Sequence, residues 1–176
     1  MFEECPDELF NNGNLRSSQL KFKVNVDLKG LPDHEVNVLT KYGLLVNNER
    51  YKSNHSKVQV FMIEHDNKTI AAEIPIWANK NEINPSHNLF VSDDVLTGHI
   101  DLLRIENGKI WVWDYKPNAQ REEFAATQVY FYALMLAKRT NIDLGNFMCG
   151  YFDSCNTYVF NPSIKQPSLL EKPPKS

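Results

Sequence analysis

The chain lacks the long apolar run, the cysteine framework and the basic excess that would each mark a familiar class. None of its apolar stretches approaches the roughly 18 residues that span a bilayer, so no membrane segment is expected. Its three cysteines, Cys5, Cys149 and Cys155, are too few and too scattered for a disulfide scaffold and read as reduced thiols. Lys and Arg number 19 against 22 Asp and Glu, a formal charge of −3. A protein that coats nucleic acid through bulk charge is usually basic, because phosphate neutralisation dominates its affinity. The balance disfavours such a coat but leaves room for an enzyme whose carboxylates hold cations. The opening MFEECPDELF is acidic, without the basic-then-apolar order of a secretory signal, so the expected compartment is the cytoplasm. No internal repeat is visible.

What is there is an ordinary globular composition, 42% hydrophobic and 23% charged over 176 residues, enough for one domain with a proper core. Residues 1–19, polar and containing NNGN, read as a loosely held arm. LKFKVNVDLKG (20–30) alternates apolar and polar residues and reads as a strand ending at Gly30. A helix is expected from Pro32–Asp33 over HEVNVLTKYGLLV, with Val38, Tyr42 and Leu45 near one face. KVQVFMIEHD and TIAAEIPIWA, joined by Asn-Lys, read as a hairpin, and NKNEINPSHN as a loop. AQREEFAATQVYFYALMLAKRT (119–140) is the strongest helix: rich in Ala, Leu and Met, free of Gly and Pro, basic at its end. NFMCGYF and NTYVFNP read as short strands around DSCN. A Pro- and Lys-rich tail, 162–176, is expected to be disordered, leaving 20–161 as the folded domain. The sum is an α/β domain with a mixed sheet.

The segment TGHIDLLRIENGKIWVWDYKP (97–117) carries the chemistry. Asn-Gly between two strand-like runs is the strongest short-range signal for a two-residue hairpin turn. With Asn107 and Gly108 in the turn, Leu103 faces Val112 and Asp101 faces Asp114, with Cβ atoms about 4.5–5.5 Å apart. Lys116 shares the face of Asp114, because strand side chains alternate with period two. Like charges directly opposite destabilise a sheet. In a partly buried site, flanked here by Ile100, Ile110, Trp111 and Trp113, they share a proton or hold a cation. Carboxylate pairs are how hard cations such as Mg²⁺ are typically held, and the lysine suits a group that orients water or stabilises developing negative charge.

Gly98-His99-Ile100-Asp101, followed a dozen residues later by Asp114-Tyr115-Lys116, resembles the metal-binding core of the PD-(D/E)XK nucleases. Within them it resembles the RecB-type branch, in which Gly-x-Ile-Asp replaces Pro-Asp. That branch carries Gln-x-x-x-Tyr on the next helix, matched here by Gln128 and Tyr132, whose i, i+4 spacing puts both on one face. AAEIPIW resembles the family's acidic strand and supplies Glu73. An early-helix histidine is often present; His34 is the best positional match, with His87 and His99 as rivals and Glu35 as an alternative acid.

Over roughly residues 30–160, the resemblance implies a restriction-endonuclease-like core with a mixed sheet flanked by helices. It implies Mg²⁺- or Mn²⁺-dependent hydrolysis of phosphodiester bonds in DNA. Asp101 and Asp114 would ligate the ion, helped by the Tyr115 carbonyl, Glu73 and His34. Lys116 would position the attacking water, while Gln128 and Tyr132 would contact substrate or brace the lysine. Exonuclease and endonuclease action, single- and double-stranded substrates, and homo-oligomerisation all stay open. Relatives that hold an iron–sulfur cluster use four cysteines; three leave one ligand too few, and no cluster is expected.

Two other readings compete. One is a catalytically inactive nuclease-fold protein that binds nucleic acid or a protein partner. The other is a two-carboxylate glycosidase, disfavoured because that chemistry has no use for an ammonium beside its acids.

Overall fold

The computed structural model describes residues 6–11, 13–83 and 95–163. In chain order the elements are α1 (Glu8–Asn11), β1 (Leu15–Arg16), β2 (Lys29–Gly30), α2 (Glu35–Val46), α3 (Asn54–His65), β3 (Thr69–Asn79) and α4 (Lys80–Ile83). Then come β4 (Val95–Glu106), β5 (Lys109–Tyr115), α5 (Ala125–Thr140), β6 (Phe147–Phe152) and β7 (Thr157–Phe160). The seven strands form one sheet in the order β1-β4-β5-β6-β7-β2, with β3 also paired to β4. β1–β4 and β5–β6 are parallel and the other pairs antiparallel. This is the mixed α/β sheet flanked by helices that the sequence led us to expect. No helix among the described residues is long and apolar enough to cross a membrane.

Two cores sandwich the sheet. Val129, Phe131, Ala133 and Met135 of α5 pack with Val112, Phe147 and Cys149 on one side. Val36 of α2 and Val58 and Met62 of α3 pack with Leu102, Trp111, Trp113 and Phe152 on the other. The Asn107-Gly108 turn closes the β4–β5 hairpin with both residues at positive φ, 51° and 71°, as a tight hairpin turn requires. The ladder pairs Leu102 with Trp113, Leu103 with Val112 and Glu106 with Lys109.

Four expectations are corrected. KVQVFMIEHD is helical, not a strand, so the proposed hairpin is a helix followed by a strand. Its β-branched and aromatic residues imitate strand alternation, but Val58, Phe61 and Met62 repeat at helical spacing, and Ser53 Oγ caps the helix by accepting from Ser56 N–H (3.0 Å). Residues 21–28 lie outside any strand, and only Lys29 and Gly30 pair, with Val159 and Tyr158. Their alternation is genuine, since Leu20 and Val24 bury one side against the α5 core. The backbone bonds go instead to a helix side chain: Val24 N–H donates to Thr127 Oγ1 (3.1 Å), whose hydroxyl donates to the Phe22 carbonyl (2.7 Å).

The supposed arm is tied down, because Leu15 and Arg16 pair with Leu96 and Thr97. The strongest helix starts at Ala125 rather than Ala119, whose N–H is instead taken by Asp153 Oδ2 (2.9 Å). In α2, Val38, Tyr42 and Leu45 do share a side, but it faces solvent. The inward face carries Val36, Asn37, Thr40 and Gly43. Asn37 earns its burial by donating to the Asp153 carbonyl (2.8 Å) and accepting from Thr157 Oγ1 (2.9 Å). The expected disordered tail lies, from residue 164, outside the described residues, as do His87 and Cys5.

Candidate active site

The side chains of β3 and β4 change sides at one row. Ile74, Ile76 and Ala78 of β3, and Leu96 and Ile100 of β4, join the α5 core, whereas Ala72 and Leu102 join the opposite one. Residues two apart on a strand normally share a face. The slip falls at Glu73 and Asp101, on both strands at once, while the register is the same at Ala72–Leu102 and Ile74–Ile100 on either side. Glu73 absorbs it with φ 52° in mid-strand. Asp114 sits one step beyond the paired Leu102–Trp113, so Glu73, Asp101 and Asp114 form one row across three strands. Helices from both layers reach that row, α3 at Asp101 and α5 at Asp114.

Asp101 is 7% exposed and Asp114 2%. Three of their four oxygens accept a hydrogen bond from this chain, while the fourth, Asp114 Oδ2, is buried without one and makes only an ion pair. Asp101 Oδ2 accepts from Tyr115 N–H (2.8 Å) and Oδ1 from Gln59 Nε2 (3.3 Å). Asp114 Oδ1 accepts from Gln128 Nε2 (3.1 Å), and its Oδ2 lies 2.7 Å from the Lys116 ammonium. Lys116 Nζ also donates to Gln128 Oε1 (2.9 Å), and Gln128 Nε2 meets the Tyr132 hydroxyl at 2.8 Å. Gln128 and Tyr132 are therefore linked in one chain to Lys116 and Asp114. The edge of the Tyr132 ring lies against Gly98, where any Cβ would collide with it, so the glycine is a requirement of close approach.

Burial pushes the Asp101 carboxyl well above the usual range, and the neighbouring Asp114 charge adds to it. Burial also raises Asp114, against the pull of Lys116. Burial opposes the charge on Lys116, but the Asp114 carboxylate outweighs it and keeps the amine a firm ammonium. Burial lifts the Tyr132 phenol far above its ordinary value, so it stays protonated.

His34 is not brought to this row. It caps α2, its Nδ1 accepting from Val36 N–H (3.2 Å), and its ring lies against Trp113 (5.4 Å between centroids). The charges acting on it are Glu106, Arg104, Glu35 and Lys68. Glu35 belongs to that second cluster, pairing with Lys68 (2.6 Å) and with the fully buried Arg104 (2.7 Å). His99 packs its ring on Phe10 (4.9 Å). The histidine beside the acids is His55 at the start of α3, with Nε2 3.7 Å from Asp101 Oδ2 and its ring edge-on to Tyr115 (5.1 Å). His55 and Gln59 were both missed, because reading α3 as a strand hid their shared helical face. The signal was there in Ser53, a capping residue two positions before His55.

Among the described residues, no three His, Cys, Asp or Glu side chains form a ready-made metal cage. Two buried, mutually unfavourable carboxylates nonetheless fit Mg²⁺, which keeps several of its waters and needs only one or two protein carboxylates. Cys149 sits in the α5 core with its thiol on the Val129 carbonyl (3.7 Å), and Cys155 is exposed on the β6–β7 turn.

No curated protein matches the chain. The family model of the PD-(D/E)XK nuclease superfamily matches residues 12–173, a span that includes the β1 strand as well as the whole acid–lysine row. The chain belongs to the PD-(D/E)XK nuclease superfamily.

Proposed function

We propose that the protein is a divalent-metal-dependent deoxyribonuclease of the RecB-type branch, hydrolysing phosphodiester bonds at the Asp101–Asp114–Lys116 site. The observation that carries the reading is the unbroken chain from Asp114 through Lys116 and Gln128 to Tyr132, set against a second buried acid. Asp101 and Asp114, helped by the Tyr115 carbonyl, would hold Mg²⁺ or Mn²⁺, which would supply positive charge against the phosphate and acidify a water. Lys116, whose ammonium lies 2.7 Å from Asp114, stabilises negative charge developing on the phosphate and orients the attacking water. Gln128 uses both ends of its amide, accepting from Lys116 and donating to Asp114, which fixes the distance between ammonium and carboxylate. Tyr132, neutral and buried, anchors Gln128. His55, with 43% of its side chain exposed, stands at the mouth beside Asp101 and meets substrate or water there.

The test is incubation of plasmid and oligonucleotide DNA with Mg²⁺, Mn²⁺ or EDTA. Cleavage with metal, none with EDTA, and none from Asp114→Ala or Lys116→Ala is the expected pattern. Folded wild-type protein that cleaves no DNA under any of these conditions would replace this reading with a binding role for the same fold.

A further inference from the structure

Gln59 lies on the buried side of α3, 4% exposed, among Val58, Phe61 and Met62. An amide placed there is unfavourable unless its groups find partners. Its Nε2 finds Glu73 Oε1 at 2.5 Å, Asp101 Oδ1 at 3.3 Å and the Asp101 carbonyl at 3.5 Å. The Asp101 main-chain carbonyl can only accept, and with the two carboxyl oxygens it draws the amide NH₂ to this side.

Glu73 differs from the two acids beyond it. It is exposed, and among the described residues β3 pairs only with β4. It also holds a left-handed φ of 52°, a strained conformation for a non-glycine residue that persists only where its surroundings impose it. Strand pairing alone does not impose it, since the register continues unchanged on both sides. The contact that Glu73 does make inward is the one with Gln59.

We propose that Gln59 is a positioning residue whose amide ties Glu73 to Asp101, turning an exposed edge-strand acid into the outer carboxylate of the cation-holding row. The inference rests on the metal-dependent reading of that row. An amide suits the task because it bridges two anions without adding charge. An ammonium in its place would compete with the cation, and a third carboxylate would add repulsion. Partners of this kind, one layer behind a metal ligand, typically change metal affinity or activity 10–100-fold.

The experiment is calorimetric titration of the full, DNA-free chain with Mn²⁺ for the wild type, Gln59→Met, Glu73→Gln and the double variant. Gln59→Met is expected to weaken Mn²⁺ binding about 10–100-fold. The double variant is expected to bind no more weakly than Glu73→Gln alone, because the tether then has nothing to hold. On an oligonucleotide substrate at saturating Mn²⁺, kcat should fall while KM for DNA holds, which a loss of packing alone would not produce. If Gln59→Met folds poorly, Gln59→Asn, one methylene too short to span the acids, serves the same comparison. Wild-type affinity in the Gln59 variants, or full additivity with Glu73→Gln, overturns the tether while leaving the metal reading intact. A wild-type chain that binds no Mn²⁺ overturns both.

Discussion

Replacing Asp101 by Asn should stabilise the ion-free protein while disabling the site. Directly opposed strand positions bring their Cβ atoms to about 5 Å, and their carboxylates are taken at a similar spacing. At an effective dielectric near 20 their repulsion is then about 3 kcal/mol. The Lys116 ammonium, 2.7 Å from Asp114, offsets part of this, leaving a net gain of about 1–2 kcal/mol for the Asn variant. Asn keeps an oxygen to accept from Tyr115 N–H, so the bond that anchors Asp101 to β5 survives. For a chain of this size 1 kcal/mol moves Tm by about 2–4 °C, so the variant should melt about 2–8 °C higher in EDTA at pH 7.5. The sign with pH follows from the raised carboxyls. The folded state holds protons that the unfolded chain has released above a pKa of about 3.9, so wild-type stability falls as pH rises from there through the folded value. The Asn variant should show less of that fall, and Mg²⁺ should raise the Tm of the wild type but do little for the variant. Melting below wild type in EDTA across this range would refute the claim that the acids repel one another in the metal-free site.

Gly98→Ala pushes a methyl into the Tyr132 ring and should cost about 1–3 kcal/mol in urea unfolding, with cleavage falling as Tyr132 leaves Gln128. Arg104→Met strands the buried Asp66, now held at 2.8 Å, and should cost about 3–5 kcal/mol by the same measurement. Burial works to raise the Asp66 carboxyl, but its bonds from Arg104 and Thr69 prevail and lower it; Lys68 and Arg104 lower Glu35. This cluster therefore contributes stability above about pH 4 that is lost as pH falls through the folded values, and Arg104→Met should flatten the acid limb. His34→Ala should cost about 1 kcal/mol of stability through its lost cap and leave metal-dependent cleavage unchanged. His55→Ala should do the reverse, slowing cleavage with little change in Tm.

The parts of the site that local rules govern were legible in the sequence. One Asn-Gly pair sets the β4–β5 register, and i, i+4 spacing brings Gln128 and Tyr132 together on α5. What was not legible depends on tertiary packing. Val58, Val60 and Ile63 look like strand residues until α2 and the sheet cover one side of α3. That misreading concealed His55 and Gln59 and left His34 as the nearest candidate. The change of side at Glu73 and Asp101 carries no local mark either, because it involves two strands joined through chain that is distant in sequence. Residues 20–28 make the same point from the other direction: their alternation records one buried side, but the partner is a helix rather than a strand.

Among the described residues, acids gather in the Asp101–Asp114 row and in the Glu35–Asp66–Glu106 group, which is paired with Arg104. Anomalous scattering from crystals soaked in Mn²⁺ separates them directly. A peak within about 2.2 Å of carboxylate oxygens from both Asp101 and Asp114, absent in Asp114→Asn, is the predicted result. A peak at the Arg104 cluster, or none at the acid row in protein that cleaves DNA, would contradict the account.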